Sequence, residues 1–279
     1  MAYRYSDSWL TPNNDIEIYR YFNEYKFLSL LETKSLYFNE ILKYRKNDKM
    51  EGALPHNNKR CIGRQYLSVS LRGKTIGADK SILKKYQIIN FIHKLTAVNC
   101  WNMGNGENRQ MWNVYAKDKR GILIKSDIES LKKSFSNMDR DVYIGKVLYV
   151  NHKSYIHSNP NPFSYAFLKD RELFEWEQEV RLLTYDFESR ECDALNEAMR
   201  IYKAKDFFNI DFDNKRGIDN ILVECDLRQL IKEIIVSPWA DSSFVEELRE
   251  ILCKHKIEVP IKKSDFVGNI DVEGKLMEL

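Results

Sequence analysis

Apolar and polar positions alternate at several points along the chain. The first clear case is residues 16–22 (IEIYRYF), a predicted strand that carries Arg20 between Tyr19 and Tyr21. Asn23 then supplies an N-cap, and Phe27, Leu28, Leu30 and Leu31 give one apolar face to a helix ending near Thr33. Residues 35–39 (SLYFN) read as a second strand and 43–63 as a polar, basic loop. Residues 66–71 (YLSVSL) alternate again and put Ser68 and Ser70 on one face. A helix follows from about residue 79 to 95, with Ile82, Tyr86, Ile89 and His93 on one stripe. Residues 98–101 read as a short strand, 102–107 as a Gly/Asn turn, 109–116 as a helix, and 121–125 and 146–150 as strands.

The second half continues the mixture. Residues 179–185 (EVRLLTY) are strand-like, 193–208 helical, and 220–226 and 233–237 strands. Ser243 and Glu246 fit a capping box before a helix with Phe244, Leu248, Ile251 and Leu252 on its apolar face, and 257–261 closes the pattern as a strand. Strands and helices interleave without the steady alternation of a parallel α/β sheet, so the expected class is α+β, with antiparallel or mixed sheets and packed helices. The expected organisation is an arm over 1–15, a single domain over 16–269 and a tail over 270–279. Within the domain, 53–97 reads as a basic insertion, 187–215 as a helical insertion and 220–265 as a closing strand-helix-strand unit.

Composition narrows the class. With 279 residues, 43% of them hydrophobic and 30% charged, the chain is long enough to bury a full core. No apolar run approaches a membrane span, and MAYRYSDSWL has no apolar signal core. Five scattered cysteines form no C-x-x-C pair, and the five histidines make no metal spacing, so no metal is expected and a reduced cytoplasm is the default. His152 and His157 fall in a run rich in Asn, Ser and Pro that reads as a solvated turn. Net charge is only +3 but unevenly spread: residues 43–94 hold 13 Lys and Arg against 3 Asp and Glu, whereas 172–258 hold 12 against 21. A basic stretch of that kind either meets an anionic partner, nucleic acid above all, or is simply solvated.

Four constellations carry candidate chemistry. Arg20 on an otherwise apolar strand either grips a phosphate or carboxylate or makes an edge-strand ion pair. Ser68 and Ser70 either orient a ligand or are ordinary half-exposed strand serines. Trp112 and Tyr115, three apart on a helix, either wall a pocket for a flat ring or belong to the core. Glu177 and Glu179, spaced for one strand face, repel each other unless a cation intervenes, and Arg181 is the next residue on that face. The plainer reading of that ladder is a solvated strand edge with a surface ion pair. Gly104-Asn105-Gly106 lacks the dinucleotide-binding glycine pattern, and no Walker A sequence is present.

The segments IYRYFNEYKFLSLLETKSLYF, KNDKMEG, MWNVYAKDKRGILIKSD, KVLYV and FLKDRELFEWEQEVRLL together resemble the bacterial family catalogued as domain of unknown function 2971. The chain departs from that pattern in its basic stretch between Gly52 and Ala97, and in having Lys49 where a Pro usually follows Asn-Asp. More distantly, Arg on a first strand, Ser-x-Ser on a middle strand and Glu-x-Glu on a late strand resemble the layout of ADP-ribosyltransferases. That resemblance implies a split-sheet core and NAD as substrate, without a metal. Arg20 would hold the NAD phosphates or ribose, with Ser68 orienting the catalytic carboxylate and Ser70 beside it. Glu179 would stabilise the oxocarbenium ion and Glu177 position or deprotonate the acceptor. Tyr21, Tyr37, Trp112, Tyr115 and Arg181 would surround the same ligand. It further implies a toxin or anti-phage effector acting on nucleic acid, with the 43–94 region as the contact and a cognate antitoxin or other system protein as a partner. The alternatives are a non-catalytic nucleic-acid- or protein-binding module of a defence or stress system, and a hydrolase that consumes NAD or another nucleotide.

Overall fold

Strand β1 (Glu17–Phe22) divides its side chains between two cores, and the fold is built around that division. The computed structural model of the protein describes residues 11–58, 87–104, 106–116, 119–136, 140–158, 161–186, 214 and 217–266. From one face of β1, Ile18 and Phe22 enter the main core. From the other, Tyr19 and Tyr21 pack on Trp112 and Ala116. Helix α1 (Glu24–Thr33) follows at once because Asn23 accepts the Lys26 N–H at 3.0 Å, and it buries Phe27, Leu30 and Leu31 in the main core. Lys34, at φ 48°, turns the chain into β2 (Ser35–Glu40). A 3₁₀ turn over Ile41–Lys46 then leads into the loop that carries Glu51.

The central strand is β3 (Thr96–Asn102), longer at both ends than the four residues the sequence pattern suggests. Helix α2 (Arg109–Tyr115), capped by Asn108, leads into β4 (Ile122–Asp127) and α3 (Ile128–Ser134). The run 146–150, expected as one strand, belongs to two: β5 (Tyr143–Lys146) joins the main sheet and β6 (Leu148–Val150) pairs in parallel with β7 (Leu168–Asp170). A short helix α4 (Arg171–Phe174) and a 3₁₀ turn over Glu175–Glu177 precede β8 (Glu179–Tyr185). The chain closes through β9 (Asn220–Glu224), α5 (Leu227–Leu230), β10 (Glu233–Val236), α6 (Ser242–Lys254) and β11 (Ile261–Lys263).

Boundaries near the C-terminal helix also differ from expectation. The cap of α6 is Asp241, which accepts the Phe244 N–H at 3.0 Å, so the helix starts before the expected Ser243 box. The last strand starts at Ile261 rather than 257, because Lys256 in a left-handed turn and buried Ile257 finish the α6 C-terminus. The strand expected over 66–71, most of the basic insertion and the helix over 193–208 lie outside the described residues.

The main sheet is antiparallel except for the β10–β11 pair, with the order β11-β10-β4-β1-β3-β2-β9 and β8 and β5 joined through β3. Helices α1, α3, α5 and α6 bury apolar residues with it in the main core. This is the expected α+β class. Along one edge β3 pairs with β8 over all seven residues. On its other edge it meets β1 only at Asn102 and β2 only at Ala97 and Val98. The sheet therefore forks at β3, with β1 leaving one end and β2 the other. Asn99 helps close the fork, its Nδ2 donating to the Tyr37 carbonyl at 2.8 Å.

Candidate active site

A cleft of about 640 Å³ opens at the fork, within the range of small-molecule and cofactor sites. Strands β1 and β2, the solvent side of α1, the end of β3, Tyr115 of α2, Lys169 of β7, Glu177 and the start of β8 all line it.

Arg20 comes from the β1 face that also carries Ile18 and Phe22. Its guanidinium lies 5.3 Å from the Phe22 ring centre and 5.9 Å from that of Trp101. Its Nη1 is buried and makes no hydrogen bond, and no carboxylate forms an ion pair with it among the described residues. Burial pulls its pKa below the usual arginine value, and the Cys100 thiol, the Tyr44 phenol, the Cys225 thiol and the Tyr115 phenol lead the opposing influences. Buried polar groups are nearly always paired, so an unpaired cation in a cleft wall marks a place for an anion.

The β8 end of the cleft is an ion network. Arg181 donates from Nε to Glu179 Oε1 at 2.6 Å and from Nη2 to Glu179 Oε2 at 3.3 Å. It also donates from Nη1 to Glu51 Oε1 at 2.5 Å, from Nη2 to Glu51 Oε2 at 3.0 Å, and from Nη1 to the Ala166 carbonyl at 2.5 Å. An arginine has five N–H donors, and all five are used. Arg181, expected as a ligand contact, therefore has no donor to offer and instead fixes Glu179 as a positioning residue. Lys169 bridges the two expected carboxylates, bonded to Glu177 Oε2 and 3.0 Å from Glu179 Oε2. Two cations thus face three carboxylates, all buried.

The two glutamates reach the cleft differently from a simple strand ladder. Glu179 is the first residue of β8, but Glu177 ends the 3₁₀ turn, and Gln178 between them is left-handed at φ 43°. Asn102 holds this turn, its Nδ2 donating to the Glu177 carbonyl at 2.5 Å, while the Glu179 N–H donates to the Tyr149 hydroxyl at 2.7 Å. The environments push the pair apart. Burial raises Glu179, but Arg181 and then Lys169 outweigh it and hold the carboxyl far below the usual carboxylate range. Burial also raises Glu177; Lys169 opposes this and Glu179 adds to it, so Glu177 stays above its ordinary value. Carboxylates split in this way suit separate electrostatic and proton-transfer roles. The Cys100 thiol also bonds to Glu179 and is held well above its usual pKa by burial and by that charge.

The remaining expected residues fall in three places. Tyr21, Tyr37 and Tyr115 line the cleft; Tyr21 is buried with its hydroxyl accepting from Asn108, whereas Tyr37 and Tyr115 are 48% and 45% exposed. Trp112 is fully buried against Tyr21, ring centres 4.9 Å apart, and its Nε1 donates to Glu107, so it is core and not a pocket wall. Ser68 and Ser70 lie outside the described residues. His152 and His157, expected in a solvated turn, are instead buried, with His157 Nε2 2.7 Å from Ser164 Oγ. Among the described residues no group of His, Cys, Asp or Glu side chains is arranged to hold a metal ion, and no helix is long and apolar enough to cross a membrane.

Sequence reasoning missed Lys169, Glu51 and Cys100 as site residues. Lys169 and Glu51 sit inside segments that carry the family resemblance, KDRELFEWEQEVRLL and KNDKMEG, which was the available signal. Glu51 is presented by a turn in which Asp48 Oδ1 accepts the Met50 N–H at 2.8 Å. Gly52, at φ 61°, then passes so close to His93 that a Cβ there would lie 3.0 Å from its Nδ1.

No family model matches this chain, and no curated protein does. A solved structure of Thermus sp. 2.9 DarT in complex with NAD+ aligns over 91% of this chain and 97% of that chain, at 11% identity and a TM-score of 0.38. A second, of the same protein in complex with carba-NAD+, aligns over 90% and 96%, at 11% identity and a TM-score of 0.32. Likenesses of this degree are no ground for a shared activity.

Proposed function

We propose that the cleft takes NAD as a substrate and that the protein is an ADP-ribosyltransferase-like enzyme. The observation that carries this reading is one cleft with an unpaired cation, Arg20, and a carboxylate held ionised, Glu179. NAD has the matching polarity, an anionic diphosphate and a ribose carbon that becomes cationic as nicotinamide leaves. The Arg20 guanidinium suits a phosphate oxygen pair. A fixed carboxylate stabilises the developing oxocarbenium ion more than the neutral ribose of the ground state, which is the condition for lowering the barrier. Arg181 keeps Glu179 from reorganising at that moment. Glu177, with its raised pKa, is the group to take the acceptor's proton. The exposed rings of Tyr37 and Tyr115 suit stacking on a nicotinamide or adenine ring. An effector role and a nucleic-acid acceptor remain part of the sequence reading, because most of the basic 43–94 region lies outside the described residues.

The test is release of nicotinamide from NAD by the protein and by Glu179→Gln. The amide keeps the side-chain shape and a bond to Arg181 but removes the charge. Loss of one such stabilising group lowers turnover by about 10²- to 10³-fold. Binding of NAD, followed by thermal shift, should persist. Nicotinamide release by Glu179→Gln at the wild-type rate rejects the assignment, and no binding or cleavage of NAD by the wild type favours a non-catalytic module.

A further inference from the structure

Lys169 is the one cation in contact with Glu177 among the described residues. Its Nζ is bonded to Glu177 Oε2 and lies 3.0 Å from Glu179 Oε2, so those two carboxylate oxygens are no more than about 6 Å apart. The Phe174 ring centre lies 4.6 Å from the same Nζ, and Lys169, Glu177 and Glu179 are all less than 9% exposed. The other groups that face Glu177 offer no substitute. Arg181, from β8, has spent its donors on Glu51, Glu179 and the Ala166 carbonyl. Tyr115, from α2, and Tyr149, from β6, are phenols that burial and the two glutamate charges hold above the usual range, so both stay neutral.

We propose that Lys169 is the positioning residue for the acceptor base: its ammonium group holds Glu177 beside Glu179 and lets both stand as carboxylates in one buried site. This rests on the NAD reading above, in which Glu177 takes the acceptor's proton, since only an ionised Glu177 can accept one. The charge balance gives the reason. With Lys169 in place, two cations meet the three carboxylates of Glu51, Glu177 and Glu179. Without it Arg181 alone faces all three, and a buried carboxylate with no cation takes up a proton. Arg181 grips Glu51 and Glu179 through two N–H bonds each, so the proton goes to Glu177. Two carboxylates about 6 Å apart, at the effective dielectric of a protein, disfavour joint ionisation by about a hundredfold, or about two pH units in the titration of Glu177.

The experiment is pH-difference infrared spectroscopy of the folded protein without ligand, which reads the C=O stretch of a protonated carboxyl group directly. The proteins are wild type, Glu177→Gln, Lys169→Met, Lys169→Arg and the double variant Lys169→Met with Glu177→Gln. Methionine keeps the unbranched stem of the lysine and removes the charge. At neutral pH, Lys169→Met should show a protonated-carboxyl band that the wild type lacks and that the double variant loses. The midpoint of that band should lie about two pH units or more above the wild-type Glu177 midpoint, and Lys169→Arg should bring it back. A Lys169→Met spectrum with no such band overturns the inference. A band that survives in the double variant does so too, because the proton is then not on Glu177. An unrestored Lys169→Arg rejects a role through charge. Should Lys169→Met fail to fold, the wild type decides against Glu177→Gln: a Glu177 still protonated above neutral pH means that Lys169 does not hold it as a carboxylate. These spectra need no NAD, so their failure leaves the NAD reading standing. Nicotinamide release by the wild type tests that reading separately, and its absence removes the acceptor step and the base role of Glu177 with it.

Discussion

Arg20→Met separates a binding residue from a structural one, because the two roles predict opposite signs for stability. Methionine keeps an unbranched apolar side chain against Phe22 and Trp101 and removes the guanidinium. In the free protein that guanidinium leaves its buried Nη1 without a partner, at a cost of about 1–3 kcal/mol. The two ring contacts offset this by about 0.5–1 kcal/mol each. The difference leaves the variant more stable than the wild type by on the order of 1 kcal/mol, or about 2–4 °C in midpoint for a chain of this size. In the presence of NAD the order should reverse. A ligand at a hundredfold excess over its dissociation constant stabilises the folded state by about 2.7 kcal/mol, and the variant should lose most of that gain. The assay is thermal and urea unfolding of both proteins with and without millimolar NAD. A variant that is less stable alone by more than about 1 kcal/mol shows that Arg20 is paired within the fold, and the anion-site argument then fails. A variant that still shows the full NAD shift refutes the placement of the phosphates.

Arg181→Met should behave in the opposite way. It strands Glu51 as a buried unpaired carboxylate and leaves Glu179 with Lys169 as its one remaining cation, a loss of about 3–5 kcal/mol that urea unfolding will read; a loss under 1 kcal/mol means the network is not a buried ion pair in solution. His93 should make the fold acid-sensitive. It is fully buried, and burial lowers its pKa from 6.5 to about 4, so it stays neutral when folded and charges when unfolded. Its contribution is fully present above about pH 6.5 and is lost as pH falls toward 4, by about 3 kcal/mol at most. The wild-type stability curve should therefore fall more steeply than that of His93→Asn across this window, and parallel curves refute the assignment. For the chemistry, the expectation is the loss of nicotinamide release in Glu179→Gln with NAD binding retained.

The legible part of this protein was the part written in short-range pattern. Alternation in IEIYRYF, the Asn23 cap and the apolar stripe of 27–31 foretold β1 and α1 to within a residue, because burial period and capping are local properties. The same alternation foretold β2, β8, β9 and β10, and it named Arg20, Glu177 and Glu179, since charges placed in an apolar pattern are conspicuous. What those charges face was not legible. Arg181 meets Glu51 across 130 residues, and Lys169 reaches both glutamates from a different strand, because contacts of that separation leave no mark on local periodicity. Trp112 and Tyr115 looked equivalent on one helix face, yet packing buried the first and left the second in the cleft. His152 and His157 looked solvated from their polar neighbours, and tertiary contacts buried them. Most of all, the pattern marked Arg20 as a charge on a strand, but only the fold, by forking the sheet at β3 and placing no carboxylate beside it among the described residues, left that charge unpaired. Which residues from distant parts of the chain come to lie beside a charge is decided by the tertiary fold, and no local pattern records it.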